Sequence, residues 1–322
     1  GYRTVFDAST LACTKRVLSL GSFITVRTEA SSLPPPGPSD GAGRIHVAPR
    51  ARQCVAPGTT MMNPLVTRLR TLTSLTEDDL QLLARACGVT LSVPARTDIH
   101  PEGHQPDSLH ILVEGWAARY KLLPDGRRQI PAVLVPGDLC DLDGLLLKRI
   151  HSGVCALTAC TVAVLPLTQV RELMDRSPAI REVIWWLQCV ENAVSAEWSI
   201  GLGRRSADER MAHLLCELLV RLSTVGLSSE NRYPLPVTQA DLGDALGLST
   251  VHVNRTLQEL RGRGLISLEG RWLTIHDYDG LKAMAGFDSD YLHIEGPRPV
   301  VEGHAQTRRG PGASVDGPHL ER

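Results

Sequence analysis

The feature that most constrains the fold is a pair of helix signals separated by a tight turn, in the C-terminal third of the sequence. Thr238 is a favoured N-cap residue, and Asp241 three positions later completes a capping box. Gly247 suits the left-handed conformation that ends many helices, and Ser249 is a second capping residue. We therefore predict one helix that ends at Gly247 and a second over residues 250–262, which is the helix-turn-helix arrangement.

The second helix has an apolar and a polar face. Val253, Leu257 and Leu260 recur at helical spacing and are predicted to face inward. The positions left outward are Thr250, Val251, His252, Asn254, Arg255 and Gln258. Residues 264–268 and 271–275 are typical of two strands joined by a Glu-Gly turn, so we predict a wing beside the two helices.

Charge and composition limit the partners of this motif. The 34 Lys and Arg face 35 Asp and Glu, and the net charge of −1 excludes an account based on a strongly basic chain. Between residues 250 and 275 four arginines oppose two glutamates, so the local charge is +2. Aromatic residues are only 4%, which argues against a stacking surface for single strands. Nucleic-acid binding would therefore depend on this local patch.

Other function classes lack their sequence signals. The eight cysteines include no CxxC pair, which argues against a disulfide framework or a zinc site and favours reduced thiols in a cytoplasmic protein. No run of 18 apolar residues occurs, so we predict no membrane span. The sequence shows no nucleophile elbow, Gly-rich phosphate loop or convincing carboxylate pair, and we predict that the protein is not an enzyme.

The central part of the chain is typical of a β domain. Thr76 and the three acidic residues after it predict a helix start, and from Val89 the pattern changes to short β runs. The predicted strands cover residues 109–113, 116–122, 129–135 and 154–165. Short strands with Gly and Pro turns every 8–12 residues indicate an antiparallel barrel or roll.

Residues 109–146 resemble the cyclic-nucleotide-binding β-roll of the Crp/Fnr superfamily of bacterial transcription regulators. The matching elements are LVEG at 112–115, the Asp-Gly hairpin at 125–126 and the Pro-Gly-Asp turn at 136–138. The helix-turn-helix and its wing resemble the C-terminal domain of the same superfamily, so the likeness extends over about residues 65–280.

The resemblance implies an α+β fold in three parts. An antiparallel, jelly-roll-like β-roll sensor domain would cover residues 62–176, a dimerisation helix 177–203 and a winged helix-turn-helix DNA-binding domain 204–280. Residues 1–61 are predicted to be a disordered or spurious leader, with Met61 or Met62 as a natural start, and 288–322 a flexible tail, because both are rich in Pro and Gly without periodicity.

The effector positions depart from the family pattern. In members that bind cyclic nucleotides, a Gly-Glu pair grips the ribose and an Arg-Ser pair neutralises the phosphate, whereas this chain has Asp141-Leu142 and His151-Ser152. Leu142 cannot accept a hydrogen bond, Asp141 and Asp143 would repel a phosphate, and a histidine lacks the guanidinium fork. We predict that these five residues, Asp141, Leu142, Asp143, His151 and Ser152, form a pocket that does not bind cyclic AMP. The effector is left unknown, and no cofactor is predicted.

Neither iron–sulfur sensing nor metal sensing has its sequence signal in this chain. Some family members carry an N-terminal cysteine cluster that holds iron–sulfur, but here only Cys54 and Cys87 lie near that end, too far apart to match. Asp98, His100, His104 and His110 have no defensible zinc spacing, so we predict no metal site. Cys155 and Cys160, five apart on one predicted strand, would lie on opposite faces.

A long helix is predicted after Ser177-Pro178, a capping residue followed by Pro in the first turn. A seam spaced 4, 3, 4, 3 and 4 residues apart runs along it through Val183, Leu187, Val190, Val194, Glu197 and Gly201. Two interpretations stay open: packing against the chain's own β-roll, or a two-chain interface. The family resemblance favours the second, and with it a homodimer.

By family position, Thr250, Val251 and Arg255 would face base edges in the major groove, with Arg255 the best candidate for a bidentate guanine contact. The full predicted DNA-contact set is Thr238, Gln239, Ser249, Thr250, Val251, His252, Asn254, Arg255 and Arg271. We expect a signal-responsive transcription regulator that binds double-stranded DNA and, by family resemblance, RNA polymerase. The alternative is an effector-sensing protein that acts on a protein partner through the same motif.

Overall fold

The computed structural model describes residues 54–55 and 63–297, which form an α+β fold as predicted. The helices are α1 Pro64–Leu72, α2 Glu77–Ala86, α3 Leu167–Arg176, α4 Pro178–Arg204, α5 Ala207–Ser223, α6 Gln239–Leu246, α7 Thr250–Gly262 and α8 Tyr278–Ala285. The strands are β1 Cys54–Val55, β2 Thr90–Val93, β3 Asp98–His100, β4 Ser108–Glu114, β5 Ala117–Leu122, β6 Arg128–Leu134, β7 Gly153–Ala156, β8 Cys160–Pro166, β9 Arg232–Pro234, β10 Ile266–Glu269 and β11 Trp272–Ile275. Short 3-10 turns cover Leu142–Leu145 and Asp290–Leu292.

Two four-stranded antiparallel sheets build the β-roll, in the orders β1-β2-β8-β4 and β3-β7-β5-β6. Gly115 turns the chain from β4 into β5 with φ of 86°, and a Cβ there would lie 2.3 Å from the Ala159 carbonyl oxygen. Only glycine fits this close approach. The predicted strand over 154–165 is wrong in one respect, because it divides into β7 and β8. Cys155 and Cys160 therefore belong to different strands rather than to two faces of one.

Helix α4 begins as predicted, with the Ser177 hydroxyl accepting a hydrogen bond from the backbone N–H of Ile180, and runs for 27 residues. The predicted seam does not lie on its open face. Val183 and Leu187 are buried in the β-roll core, and Val194 packs against the core shared with the winged-helix domain. For these residues the first of the two interpretations is correct: they pack against the chain's own core. The sequence could not decide between the two, since a buried face and a dimer interface show the same helical spacing of apolar residues.

The open face of α4 carries a different series. Its members are Trp185, Cys189, Asn192, Ala196, Ser199 and Gly203, all exposed and spaced 4, 3, 4, 3 and 4 residues apart. Trp185 is 49% exposed, and Ile200 and Leu202 flank the far end at 51% and 40%. We call this series the open seam.

The winged-helix domain follows α4 after Arg205 and consists of α5, α6, α7, the β9–β11 sheet and α8. Its core is continuous with the β-roll, since Ile130 and Val133 of β6 belong to the same buried cluster as Leu215 and Leu242. The two domains are therefore joined by a common hydrophobic core as well as by the connecting helix α4.

The segment after α8 is packed rather than free. Phe287 and Leu292 are buried at 3% and 6% exposure, and Gly296 lies so close to α1 that a Cβ would come within 1.7 Å of the Leu72 carbonyl oxygen. The predicted flexible tail is therefore wrong for residues 288–297, because these apolar anchors fill a groove beside α4 and α5. We call residues 287–297 the C-terminal strap. Residues 298–322 lie outside the described part of the chain.

Most of the predicted leader, residues 1–53 and 56–61, also lies outside the described residues. Within it, Cys54 and Val55 form strand β1, which pairs antiparallel with Leu91 and Thr90 of β2. That pair of residues is ordered as β structure, which the leader prediction did not include.

Candidate nucleic-acid interface and sensor pocket

The helix-turn-helix forms as its capping signals predict. The Thr238 hydroxyl accepts a hydrogen bond from the Asp241 backbone N–H at 3.1 Å, and the Asp241 carboxylate accepts one from the Thr238 N–H at 3.0 Å. Gly247 is left-handed with φ of 64° and closes α6. The Ser249 hydroxyl then accepts from the His252 N–H at 3.2 Å and starts α7. The polar groups that the turn would leave unpaired are thus satisfied locally.

Helix α7 buries Val253, Leu257 and Leu260 and leaves the opposite face open. Val251 is 79% exposed, and Thr250, Asn254 and Arg255 are exposed beside it. His252 is half-buried, and its Nε2 lies 3.2 Å from the Arg255 Nη2. The structure therefore brings the predicted base-facing residues together on one accessible surface.

Arg255 differs from Arg263, the residue directly after α7, because only Arg263 carries an ion pair. Arg263 is bonded to Glu259 at 2.6 Å, whereas Arg255 has no carboxylate within 4.0 Å in the described structure. Apart from the Nη2 that contacts His252, its guanidinium therefore keeps its donors for a ligand. The remaining predicted DNA contacts are exposed at the rims of this surface: Thr238 and Gln239 start α6, Ser249 precedes α7, and Arg271 lies at the wing turn.

The predicted effector residues do not form one pocket. Asp141 and Leu142 are buried at 0% and 3% exposure, Asp143 and Ser152 are half-buried, and His151 is exposed. The carbonyl oxygen of His151 accepts a hydrogen bond from the Lys121 ammonium at 2.7 Å. Leu142 instead joins the hydrophobic core of the β-roll.

The Asp141 carboxylate is hydrogen-bonded to His110. It accepts hydrogen bonds from the His110 backbone N–H at 2.8 Å and from the His110 ring at 2.6 Å, and His100 Nε2 lies 3.8 Å away. His100 is 1% exposed with both ring nitrogens unbonded, and burial lowers its pKa despite the opposing effect of Asp141. His104 stacks on His100 with ring centroids 5.7 Å apart.

Among residues 63–297, no group of three His, Cys, Asp or Glu side chains converges to hold a metal ion. Asp98, which precedes these histidines in the sequence, accepts a hydrogen bond from the Tyr120 hydroxyl at 2.9 Å.

A cavity of about 100 Å³ lies between the β-roll, α4, α5 and the C-terminal strap. Leu142, Trp198 and Leu292 line its apolar parts, and Arg119 and Glu191 are paired with each other at its wall. Arg119 also donates to the Cys140 carbonyl oxygen at 3.0 Å. Burial raises the pKa of Glu191, although Arg119 opposes this rise. The polar groups of β5 and α4 that face this cavity therefore satisfy one another.

A buried chain of ion pairs joins the two domains. Apart from the Pro-Gly-Asp turn, no sequence signal points to it. Asp138 of that turn accepts from Arg68 at 2.9 Å and is bonded to Arg221 of α5. Burial raises the pKa of Asp138, but Arg221 and Arg68 more than offset this and lower it overall. Arg221 also donates a hydrogen bond to the Glu217 carboxylate at 2.9 Å. Glu217 has no exposed surface and also accepts from the Trp198 indole at 2.9 Å.

Known proteins match both halves of this architecture. Residues 90–177 match the cyclic nucleotide-binding domain, and residues 209–284 match the Crp-like helix-turn-helix domain. The transcriptional activator protein FnrL of Cereibacter sphaeroides is 30% identical over 192 residues, which cover 58% of this chain and 77% of FnrL. The nitrogen fixation regulation protein FixK of Bradyrhizobium diazoefficiens is 32% identical over 182 residues, covering 55% and 74%.

Among solved structures, FixK2 from Bradyrhizobium japonicum aligns with a TM-score of 0.55 and 26% identity, over 61% of this chain and 96% of FixK2. A cyclic-nucleotide-binding-type β-roll, a long helix and an exposed winged helix-turn-helix together define a DNA-binding transcription regulator. The chain belongs to the Crp/Fnr superfamily. None of the helices in the described ranges is long and apolar enough to cross a membrane.

Proposed function

We propose that this regulator binds DNA as a homodimer, with Arg255 of each α7 as the principal base contact. The observation that carries the proposal is the open, carboxylate-free guanidinium of Arg255 beside the exposed Val251. Arg255 would donate two hydrogen bonds to guanine, and Val251 would pack on a thymine methyl group. Thr238 and Gln239 would contact phosphates from the start of α6.

The open seam is the surface proposed for pairing the two chains. Trp185 supplies the large apolar contact, and the small side chains from Cys189 to Gly203 allow two helices to approach closely. A two-fold axis along this seam would present two α7 helices to half-sites about 34 Å apart, one turn of the duplex. Family membership supports both the dimer and a contact with RNA polymerase in the cytoplasm.

The effector is proposed to be something other than cyclic AMP. The residues at the ribose and phosphate positions are a core leucine and an exposed histidine, Leu142 and His151. Arg119 of β5 and Glu191 of α4, at the wall of the cavity, already satisfy each other. A cyclic phosphate would have to enter without a free cation at its usual place, at a large desolvation cost.

Selection from a random-sequence duplex library with the purified full chain tests the DNA-binding face. We expect enrichment of a palindromic site with guanine at symmetric positions, and footprints spanning two half-sites. Recovery of no sequence preference at low salt would contradict the proposal. Calorimetry with cyclic AMP tests the second part, and binding with a dissociation constant below about 10 μM, or −7 kcal/mol, would contradict it.

A further inference from the structure

Four charged side chains meet at the junction of the two domains. Arg96 lies between β2 and β3, Arg128 begins β6, and Asp241 and Asp244 are on α6. Arg96 donates to both Asp241 oxygens at 2.8 and 2.9 Å, and Arg128 donates to Asp241 at 2.8 Å and to Asp244 at 2.7 Å. We call these four residues the junction cluster.

Asp241 has two roles at once. The same carboxylate that accepts from both arginines also forms the capping box with Thr238, the residue that starts the first helix of the helix-turn-helix. Its side chain is 2% exposed, and hydrogen bonds from Arg96 and Thr238 hold its pKa well below the usual range against the raising effect of burial. The β-roll therefore grips α6 at its N-terminal turn.

Arg96 is held in place at a cost. Its φ is 63°, a left-handed conformation that is uncommon for a residue with a side chain. Its backbone N–H donates to the Ala156 carbonyl oxygen at 2.7 Å, so the strained turn is fixed to β7. Strained backbone conformations persist where many surrounding contacts hold them. Here the left-handed conformation of Arg96 brings its guanidinium within hydrogen-bond distance of Asp241.

The grip on α6 extends to α7 because the two helices are in close contact. At Gly243 a Cβ would lie 2.6 Å from the Leu248 carbonyl oxygen, so α6 and the turn before α7 cannot shift independently. Fixing α6 against the β-roll therefore fixes the direction of the base-facing helix. The arginines also neutralise two carboxylates within a turn or two of Thr238 and Gln239, where DNA phosphates would otherwise be repelled.

We propose that Arg96 and Arg128 are positioning residues for DNA recognition: they couple the β-roll to the helix-turn-helix and set the orientation of α7. This inference rests on the proposed DNA-binding face. The Arg128–Asp244 pair gives the sharpest test, because exchanging its charges can rebuild an ion pair across the junction. Asp241 loses its bond from Arg128 in that exchange but keeps both bonds from Arg96.

The experiment compares Arg128→Asp, Asp244→Arg and the double variant, each as full-length chain, on the selected operator and on unrelated duplex. We expect each single variant to lower the ratio of specific to non-specific affinity by about tenfold, and the double variant to recover to within about threefold of wild type. Arg127→Asp is the matched control, since Arg127 is adjacent, 77% exposed and bonded only within its hairpin to Asp125. Its ratio is expected to change less than about twofold.

A second measurement reports the coupling directly. Trypsin cleavage after Arg204 and Arg205, at the end of α4, is expected to be faster in both single variants and to return to the wild-type rate in the double variant. Thermal melting checks folding. If either charge reversal fails to fold, Arg128→Gln and Asp244→Asn replace the pair, and a double variant that loses no more than either single variant takes the place of recovery as the expected result. Unchanged affinity ratios in the single variants, a charge-reversed double variant no better than its singles, or additive losses in the neutral pair would overturn the proposal. A wild-type chain that selects no sequence would instead refute the proposed DNA-binding face.

Discussion

The Tyr291 hydroxyl donates a 2.8 Å hydrogen bond to Glu217, a carboxylate with no exposed surface. Tyr291 belongs to the C-terminal strap and Glu217 to α5, so this bond ties the end of the described chain to the centre of the winged-helix domain. The same carboxylate accepts from Trp198 of α4 and Arg221 of α5. Each of its donors therefore comes from an element that fixes one domain against the other.

Replacing Tyr291 by phenylalanine is expected to lower the free energy of unfolding by about 1–3 kcal/mol, because a buried carboxylate loses a donor that water cannot replace. Chemical denaturation followed by circular dichroism measures the change. Tyr120→Phe is the matched control: its hydroxyl bonds the exposed Asp98, and a loss below about 1 kcal/mol is expected. Equal losses of stability in the two variants would contradict the claim that the bond to the buried Glu217 contributes more than the bond to Asp98.

Arg255→Ala is expected to weaken operator binding by about 1–3 kcal/mol and to relax the preference for guanine at one position of each half-site. Fluorescence anisotropy on operator and single-base variants measures both effects. Arg263→Ala, at the far end of α7 and bonded to Glu259, removes the same charge. The expected outcome for that variant is unchanged base preference, so a loss of preference there would remove the distinction drawn for Arg255.

Cys189 offers a direct probe of the open seam. It is exposed on α4, whereas Cys216 is buried and burial raises the pKa of its thiol to about 12, which keeps it unreactive. If two chains pair along the seam, oxidation by copper phenanthroline should give a disulfide-linked dimer on a non-reducing gel. Cys189→Ser is expected to abolish that band. A band that survives the substitution would indicate a different contact surface.

Stability should fall as the pH drops below about 6.5. Burial lowers the pKa of His100 in the folded chain, so the unfolded state takes up the proton first. Between the two pKa values the folded state loses up to about 1.4 kcal/mol per pH unit for each such histidine. The groups that face His100 are Asp141, His110 and His104, and of these Asp141 favours its protonation.

His100→Leu removes this proton uptake, so denaturation at a series of pH values should show a shallower fall in stability than for wild type. His213 has a pKa lowered mainly by burial, and part of the slope should therefore remain. The exposed His151→Gln is the control and should keep the wild-type slope. Identical slopes for wild type and His100→Leu would show that His100 titrates alike in both states.

The helix-turn-helix was predictable because its signals are local. Thr238 with Asp241, Gly247 and Ser249 each satisfy neighbouring backbone groups, and the observed helices begin and end at these residues. The periodicity of α4 also predicted a helix correctly, but it could not identify the open face. Val183 and Trp185 lie on different faces of one helix that is apolar over much of its circumference.

The contacts between domains were not predictable. Arg96 and Asp241 are 145 residues apart, and no spacing rule links a turn of a β-roll to the first turn of a distant helix. The strap was missed for a related reason: the Pro- and Gly-rich composition of residues 288–322 concealed Tyr291 and Leu292, two anchors whose partners lie on α4 and α5. Local composition predicts whether a segment can fold by itself, and this one is ordered by docking on other elements.

The strap makes the cooperative folding unit larger than the segment that matches the Crp-like helix-turn-helix domain, which ends at residue 284. A truncation placed at that boundary would keep every residue of the wing and of α7, yet it would uncover Glu217 and strip one wall from the cavity beside Trp198. Expression boundaries for this protein should therefore follow the contact between Gly296 and Leu72, where the last described turn meets the first helix.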